Sequence, residues 1–241
     1  MNFKRISLYL SFLCFPISFL AFINILYASY FDYFLSINTY FVTFVASLLV
    51  GLSLFFYGRN SKKNISFIEQ LIFILISYFL TSILIAIPFY LSNYQVTFVN
   101  AIFESISGLT GTGFSIFKNI KYLDPTLILW RSSAQWIGGL FFLFFLIIIF
   151  SNKSFNYKMT NLTYSGDNNF NSEENIKDNI LLIFIIYSVL SILILTLLNL
   201  SGLRLFNSLN MSMTLISGGT FSLSGSPSTH FSSDTLIRTG D

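Results

Sequence analysis

Polar residues divide this chain into long apolar runs at about 6–31, 36–57, 66–91, 126–150 and 179–200. Each reaches the roughly 20 residues that a helix needs to cross a hydrocarbon core of about 30 Å. Five membrane-spanning helices are predicted. Their boundaries carry helix punctuation: Ser66 with Glu69 three residues later is a capping-box pattern, and Asp124-Pro125 supplies an N-cap and a first-turn proline. The first run follows Lys4 and Arg5 as a signal peptide would. Its apolar stretch exceeds the usual h-region of about 7–15 residues, however, and no clear small-residue cleavage site closes it, so it is read as a transmembrane helix.

Two shorter segments break the spanning pattern. Residues 97–109 and 205–216 are helical in period but too short to cross. Each runs into a polar, glycine-rich string, Thr110-Gly111-Thr112-Gly113-Phe114 and Ser217-Gly218-Gly219-Thr220-Phe221. Irregular backbone at membrane depth is tolerated only where it is buried in protein or lines a water-filled cavity, so each segment is expected to be a re-entrant half-helix ending in a loop. Aligning Phe114 with Phe221 also pairs Asn100 with Asn207, Ser105 with Ser212, Gly111 with Gly218 and Ser115 with Ser222, an internal repeat offset by 107 residues. Such repeats are common in transport proteins. The expected organisation is two leading helices in 1–64, a span, half-helix, loop and span in 65–150, a polar segment at 151–178, and a second unit at 179–241 that lacks its closing span.

The 241 residues are 54% hydrophobic and only 10% charged, which excludes an ordinary soluble domain and fixes the class as an all-α multi-pass membrane protein. The net charge of +3 is small, and the basic residues sit between apolar runs rather than along one face, so no nucleic-acid partner is expected. They serve instead as orientation signals. Lys4 and Arg5 before the first span, and Arg59, Lys62 and Lys63 after the second, put the N terminus and the 151–178 segment on the cytoplasmic side of the cell (inner) membrane. Cys14 and His230 are the sole residues of their types, so neither a disulfide framework nor a His/Cys metal site can be assembled. Cys14 is read as a packed, inert side chain. No span carries a constellation suited to catalysis; neither an enzyme nor a cofactor is expected.

Chemistry at the loops would then be coordination. A dehydrated cation needs several oxygens at once, which small residues can supply by turning backbone carbonyls inward, with Thr and Ser hydroxyls adding more. The candidate ion-binding residues are Thr110, Gly111, Thr112 and Gly113 with Ser217, Gly218, Gly219 and Thr220. A half-helix aiming its negative C-terminal end at the loop would favour a cation. The plainer alternative is that these glycines allow close helix packing or a surface turn. Glu104 in the first half-helix and Arg131 about two turns into the next span are candidates for an ion pair behind the loop; alternatively, Glu104 faces an external vestibule and Arg131 snorkels to the interface. Gly138-Gly139 reads as a packing site more than as a hinge.

Ala101-Ile102-Phe103-Glu104-Ser105-Ile106-Ser107-Gly108, the Thr110–Phe114 loop, Leu129-Trp130-Arg131-Ser132 and Gln135-Trp136-Ile137-Gly138-Gly139 together resemble the first pore loop and following helix of TrkH/KtrB-type potassium uptake proteins. Ile87-Pro88-Phe89 and the Met213-Thr214 to Gly219 region sit where that family has counterparts. The resemblance implies four span-loop-span repeats around a cation pore, with K⁺ as the transported ion and a key filter glycine matching Gly113. It also implies a homodimer and a peripheral cytoplasmic nucleotide-binding regulatory subunit, beside the membrane lipid around the spans. In the second loop the key glycine falls on Thr220 or, with a one-residue shift, on Gly219. By the same resemblance the chain covers the N-terminal half of the architecture and is read as a truncated product, an incomplete sequence or one piece of a split transporter. The reading from a different class is a non-conducting membrane subunit or assembly partner that keeps the fold but not the pore.

Overall fold

The computed structural model describes residues 3–60, 66–117, 120–150 and 172–219. The polar segment 151–171, Lys62 and Lys63, and everything from Thr220 onward, including Phe221, Ser222 and His230, lie outside them.

Among the described residues there are seven α-helices and no strand: α1 Phe3–Tyr30, α2 Phe34–Gly58, α3 Phe67–Tyr90, α4 Phe98–Leu109, α5 Pro125–Phe150, α6 Ser172–Leu200 and α7 Leu205–Ile216. Five of them contain stretches long and apolar enough to cross a membrane. The expected punctuation is present. Ser66 accepts from the Glu69 amide while the Glu69 carboxylate accepts from the Ser66 amide, completing the capping box of α3. α5 starts at Pro125, with the Asp124 carbonyl accepting from Leu127 and Ile128. α6 differs from expectation, beginning at Ser172 inside the segment read as a polar loop. Apolarity marks depth in the bilayer, whereas a hydrogen-bonded helix can continue into its polar flank.

α1 and α2 form a close pair because α2 turns glycines toward α1. A Cβ at Gly51 would lie 3.1 Å from the Cys14 Cβ, and one at Gly58 would come within 2.6 Å of the Leu8 amide nitrogen and the Lys4 carbonyl oxygen. Cys14 is buried in that contact. The core continues through Phe73, Ile85 and Phe89 of α3 to Trp130, Ile137, Phe141 and Phe145 of α5. Trp130 ties three helices together: its Nε1 donates to the Ile85 carbonyl at 3.0 Å, and its ring meets Tyr40 of α2 at 5.7 Å between centroids. α6 packs on α7, meets α5 through Tyr187 and Ser191, both on Trp136, and leaves most of its apolar surface open.

α4 and α7 are the two helices too short to span. Each has 12 residues, about 18 Å at helical rise. Both pack on α5, which thereby stands between them.

Candidate functional site

Each short helix ends in the same backbone device. α4 closes with Thr110 in a right-handed conformation (φ −86°, ψ −6°) followed by Gly111 at φ +70°; α7 closes with Ser217 (φ −77°, ψ −4°) followed by Gly218 at φ +69°. The Gly111 amide donates to Gly108 at 3.0 Å, and its counterpart Gly218 donates to Leu215 at 3.1 Å. The repeat inferred from residue matches thus extends to helix length, dihedrals and hydrogen bonding. A left-handed residue directly after a helix is where glycine is favoured, since a side chain there would crowd the backbone.

The first loop continues with a second left-handed residue, Gly113 at φ +75°. Its hydroxyls fold back on the helix end. Thr110 Oγ1 donates to the Ile106 carbonyl at 2.8 Å, Thr112 Oγ1 donates to the Ser107 carbonyl at 3.3 Å, and Ser107 Oγ donates to the Phe114 carbonyl at 2.6 Å. The Ile106, Ser107 and Gly108 carbonyls at the end of α4 are therefore satisfied by the loop, as a helix end away from water requires. Thr112 Oγ1 also lies 3.2 Å from Thr110 Oγ1 and 3.1 Å from Ser107 Oγ, so the three hydroxyls form one network.

Two strings far apart in sequence come together. A Cβ at Gly111 would stand 3.5 Å from the Ser217 carbonyl oxygen, 3.8 Å from Gly219 Cα and 3.9 Å from the Gly219 nitrogen. Thr110 and Thr112 are exposed, as is Gly218, while Gly111, Gly113, Ser217 and Gly219 are half-buried. Thr220 lies outside the described residues. Where the two loops meet, both offer backbone polar groups and small side chains, a surface that can present several oxygens to one cation.

Glu104 and Arg131 meet behind the first loop. Arg131 Nε donates to Glu104 Oε1 at 2.7 Å, with the two side chains 3% and 0% exposed. The carboxylate also accepts from Ser115 Oγ at 3.1 Å and from the Ile116 amide at 2.9 Å, and Ser115 Oγ in turn accepts from the Phe117 amide at 3.1 Å. Arg131 places its guanidinium carbon 5.8 Å from the Phe117 ring centroid. Together these contacts tie the segment leaving the loop, Ser115–Phe117, to both α4 and α5. A buried charge held this way is partnered and hydrogen-bonded, which is the condition for keeping it at membrane depth.

α5 supports both loops. A Cβ on Gly138 would overlap the Leu109 carbonyl at the end of α4. One on Gly139 would lie 2.6 Å from the Tyr187 hydroxyl and 3.0 Å from Ser217 Cα. Gly138-Gly139 is thus a packing site for two loop ends. Tyr187 completes the join by donating to the Trp136 carbonyl at 3.0 Å, while Trp136 Nε1 donates to Ser191 at 2.9 Å.

The sequence shows no role for Ser107, Ser115 or Tyr187, and Gln135 stands out in it only as part of a motif. Ser115 gave some signal through its match to Ser222; a serine or tyrosine among apolar residues otherwise reveals nothing of its partner. Between α3 and α5, Tyr94 accepts from the Asp124 amide at 2.8 Å and donates to the Tyr122 carbonyl at 3.3 Å. Partial burial raises the pKa of its phenol, which keeps this donor protonated.

Residues 36–238 match the TrkH family model, described as a cation transport protein. An uncharacterized cation transporter of Methanocaldococcus jannaschii is 31% identical over 194 residues, 76% of this chain and 39% of its own length. The Trk system potassium uptake protein TrkG of Escherichia coli is 25% identical over 199 residues, 78% of this chain and 39% of its own. The crystal structure of the potassium transporter TrkH from Vibrio parahaemolyticus shares the fold, with a TM-score of 0.78 at 22% identity over 97% of this chain and 47% of that one. The chain therefore spans less than half the length of these relatives. The match from α2 through both loops, over most of the sequence, makes this chain a member of the TrkH family of membrane cation transport proteins.

Proposed function

We propose that this chain takes part in potassium uptake, with Thr110–Gly113 and Ser217–Thr220 as two walls of an ion filter. The observation that carries the reading is the meeting of two matched loops. Each follows a 12-residue helix and turns on a left-handed glycine, and Gly111 lies against Ser217 and Gly219. Two such walls from one chain fit the half of a filter that the matched span of the longer relatives would supply. Potassium as the ion is favoured by the likeness to TrkG, a potassium uptake protein.

The roles within the site follow from the contacts. Backbone carbonyls of the loops coordinate the ion, and the negative ends of α4 and α7 lower its energy there. Glu104 and Arg131 hold the first loop's exit in shape without touching the ion. The organisation is two leading helices in 1–64, a first pore unit in 65–150, a cytoplasmic segment at 151–178 and a second unit from 179, with the N terminus on the cytoplasmic side of the inner membrane. A homodimer bearing a peripheral nucleotide-binding regulatory subunit is the assembly this reading favours, K⁺ being cargo and not a cofactor.

Growth of a potassium-uptake-deficient bacterium at low K⁺ tests the proposal. Expression of the chain should rescue growth, and Gly113→Asp, which adds a charged side chain at a left-handed position, should abolish rescue without loss of protein from the membrane. Rescue that survives this substitution removes the first loop from the filter. Absence of rescue by the unaltered chain, at normal membrane abundance, favours the non-conducting subunit.

A further inference from the structure

The two loops are backed differently. Behind the first stands a charged pair, with Glu104 of the short helix fixing Ser115 and Ile116. At the matching place in the second short helix stands Met211, which has no group to offer backbone. One turn beyond Arg131 on α5, however, lies Gln135, with 0% of its surface exposed. Neither Nε2 nor Oε1 of Gln135 meets a hydrogen-bond partner among the described residues. A buried amide without partners is costly, and such groups in a native fold call for a function or a partner.

Gln135 faces the second loop. A Cβ built on Gly219 would lie 2.5 Å from both Cδ and Nε2 of Gln135 and 2.7 Å from Oε1, so the loop backbone rests on the amide plane with no room for a side chain between them. Its unused donors and acceptor are therefore adjacent to Gly219. An amide can donate to a carbonyl or accept from an N–H, whereas the carboxylate of Glu104 can only accept.

We propose that Gln135 is the positioning residue of the second loop, its amide nitrogen donating to the Gly219 carbonyl when a K⁺ ion occupies the site, in place of the acidic anchor that Met211 does not provide. The inference rests on the filter reading above. Both loops are tied to the end of their own short helix, the second by Gly219 donating to the Thr214 carbonyl at 2.9 Å. Behind the first, however, the Glu104 carboxylate already bonds Ser115 and Ile116, whereas behind the second the amide of Gln135 still has bonds to give, which makes the second wall the one whose shape responds to the ion.

The test uses the whole chain, purified in detergent, with thermal unfolding followed in KCl and in choline chloride at equal ionic strength. The unaltered protein should melt higher in KCl. Gln135→Met, similar in length and able to fill the space, should melt with the unaltered protein in choline but lose most of the K⁺-dependent rise. Gln135→Asn, which keeps the amide but withdraws it by one methylene, should retain part of that rise and covers the case in which the Met variant does not accumulate. In cells, Gln135→Met should raise the KM for Rb⁺ uptake about tenfold with Vmax little changed, the scale expected from one hydrogen bond lost from an ion-occupied state. A wild-type rise in KCl that Gly113→Asp abolishes but both Gln135 variants keep overturns the positioning role and leaves the filter standing. A wild-type protein that melts identically in both salts overturns the filter reading and this inference with it.

Discussion

A carboxylate with 0% exposure is the most demanding single residue in this fold. Glu104 accepts from Arg131, Ser115 and the Ile116 amide, so its charge is spread over one cation and two neutral donors. Removing one member of such a buried pair leaves the other uncompensated, at a cost of about 3–5 kcal/mol, while removing both is far better tolerated. Arg131→Met should accordingly lower the thermal unfolding temperature sharply, and adding Glu104→Gln should recover a large part of the loss. Equal loss in the single and double variants would show that the pair is not coupled. Residue type and depth were enough to suggest Glu104 and Arg131, because ionisable groups in apolar surroundings need partners. Ser107, Ser115 and Gln135 stood in matched strings but showed no role there, because their importance lies in burial and in what they face, neither of which a single sequence records.

At the scale of elements, the five long helices were legible as apolar runs, and the short ones as runs that stop too soon. Length and transfer free energy are local properties, so each segment announces its own class. The part played by α5 was not legible. It lies between the ends of both short helices, contacting Leu109 through Gly138 and Ser217 through Gly139. The small size of these residues is what permits both approaches. Gly138→Ala, whose Cβ would collide with immovable backbone at Leu109, should cut membrane yield and uptake severely. Gly51→Ala, whose Cβ would lie 3.1 Å from the Cys14 Cβ, asks only for a small shift between α1 and α2, so yield should stay near wild type. Quantitative blotting of membrane fractions separates these outcomes, and equal yields would refute the supporting role of Gly138.

For the whole molecule, orientation is the property with the plainest test. Because α3 crosses from Phe67 to Tyr90, exposed residues just outside its two ends face opposite sides. In a Cys14→Ala background, Asn93→Cys should react with a membrane-impermeant maleimide in intact cells, and Arg59→Cys only after permeabilisation. The reverse pattern would place the N terminus outside. Hydrophobic periodicity and punctuation by themselves determined the number of spans, the two short helices, the glycine strings and the offset of the repeat, since each depends on neighbours close in sequence. Only the tertiary structure decided that Gly111 lies against Ser217 and Gly219, that the Thr110 and Thr112 hydroxyls turn back to the end of α4, and that one helix backs both loops with a charged pair on one side and an unpartnered amide on the other. Those arrangements depend on how helices distant in sequence pack, where a few tenths of an ångström decide which side chain fits, and no local pattern encodes such distances.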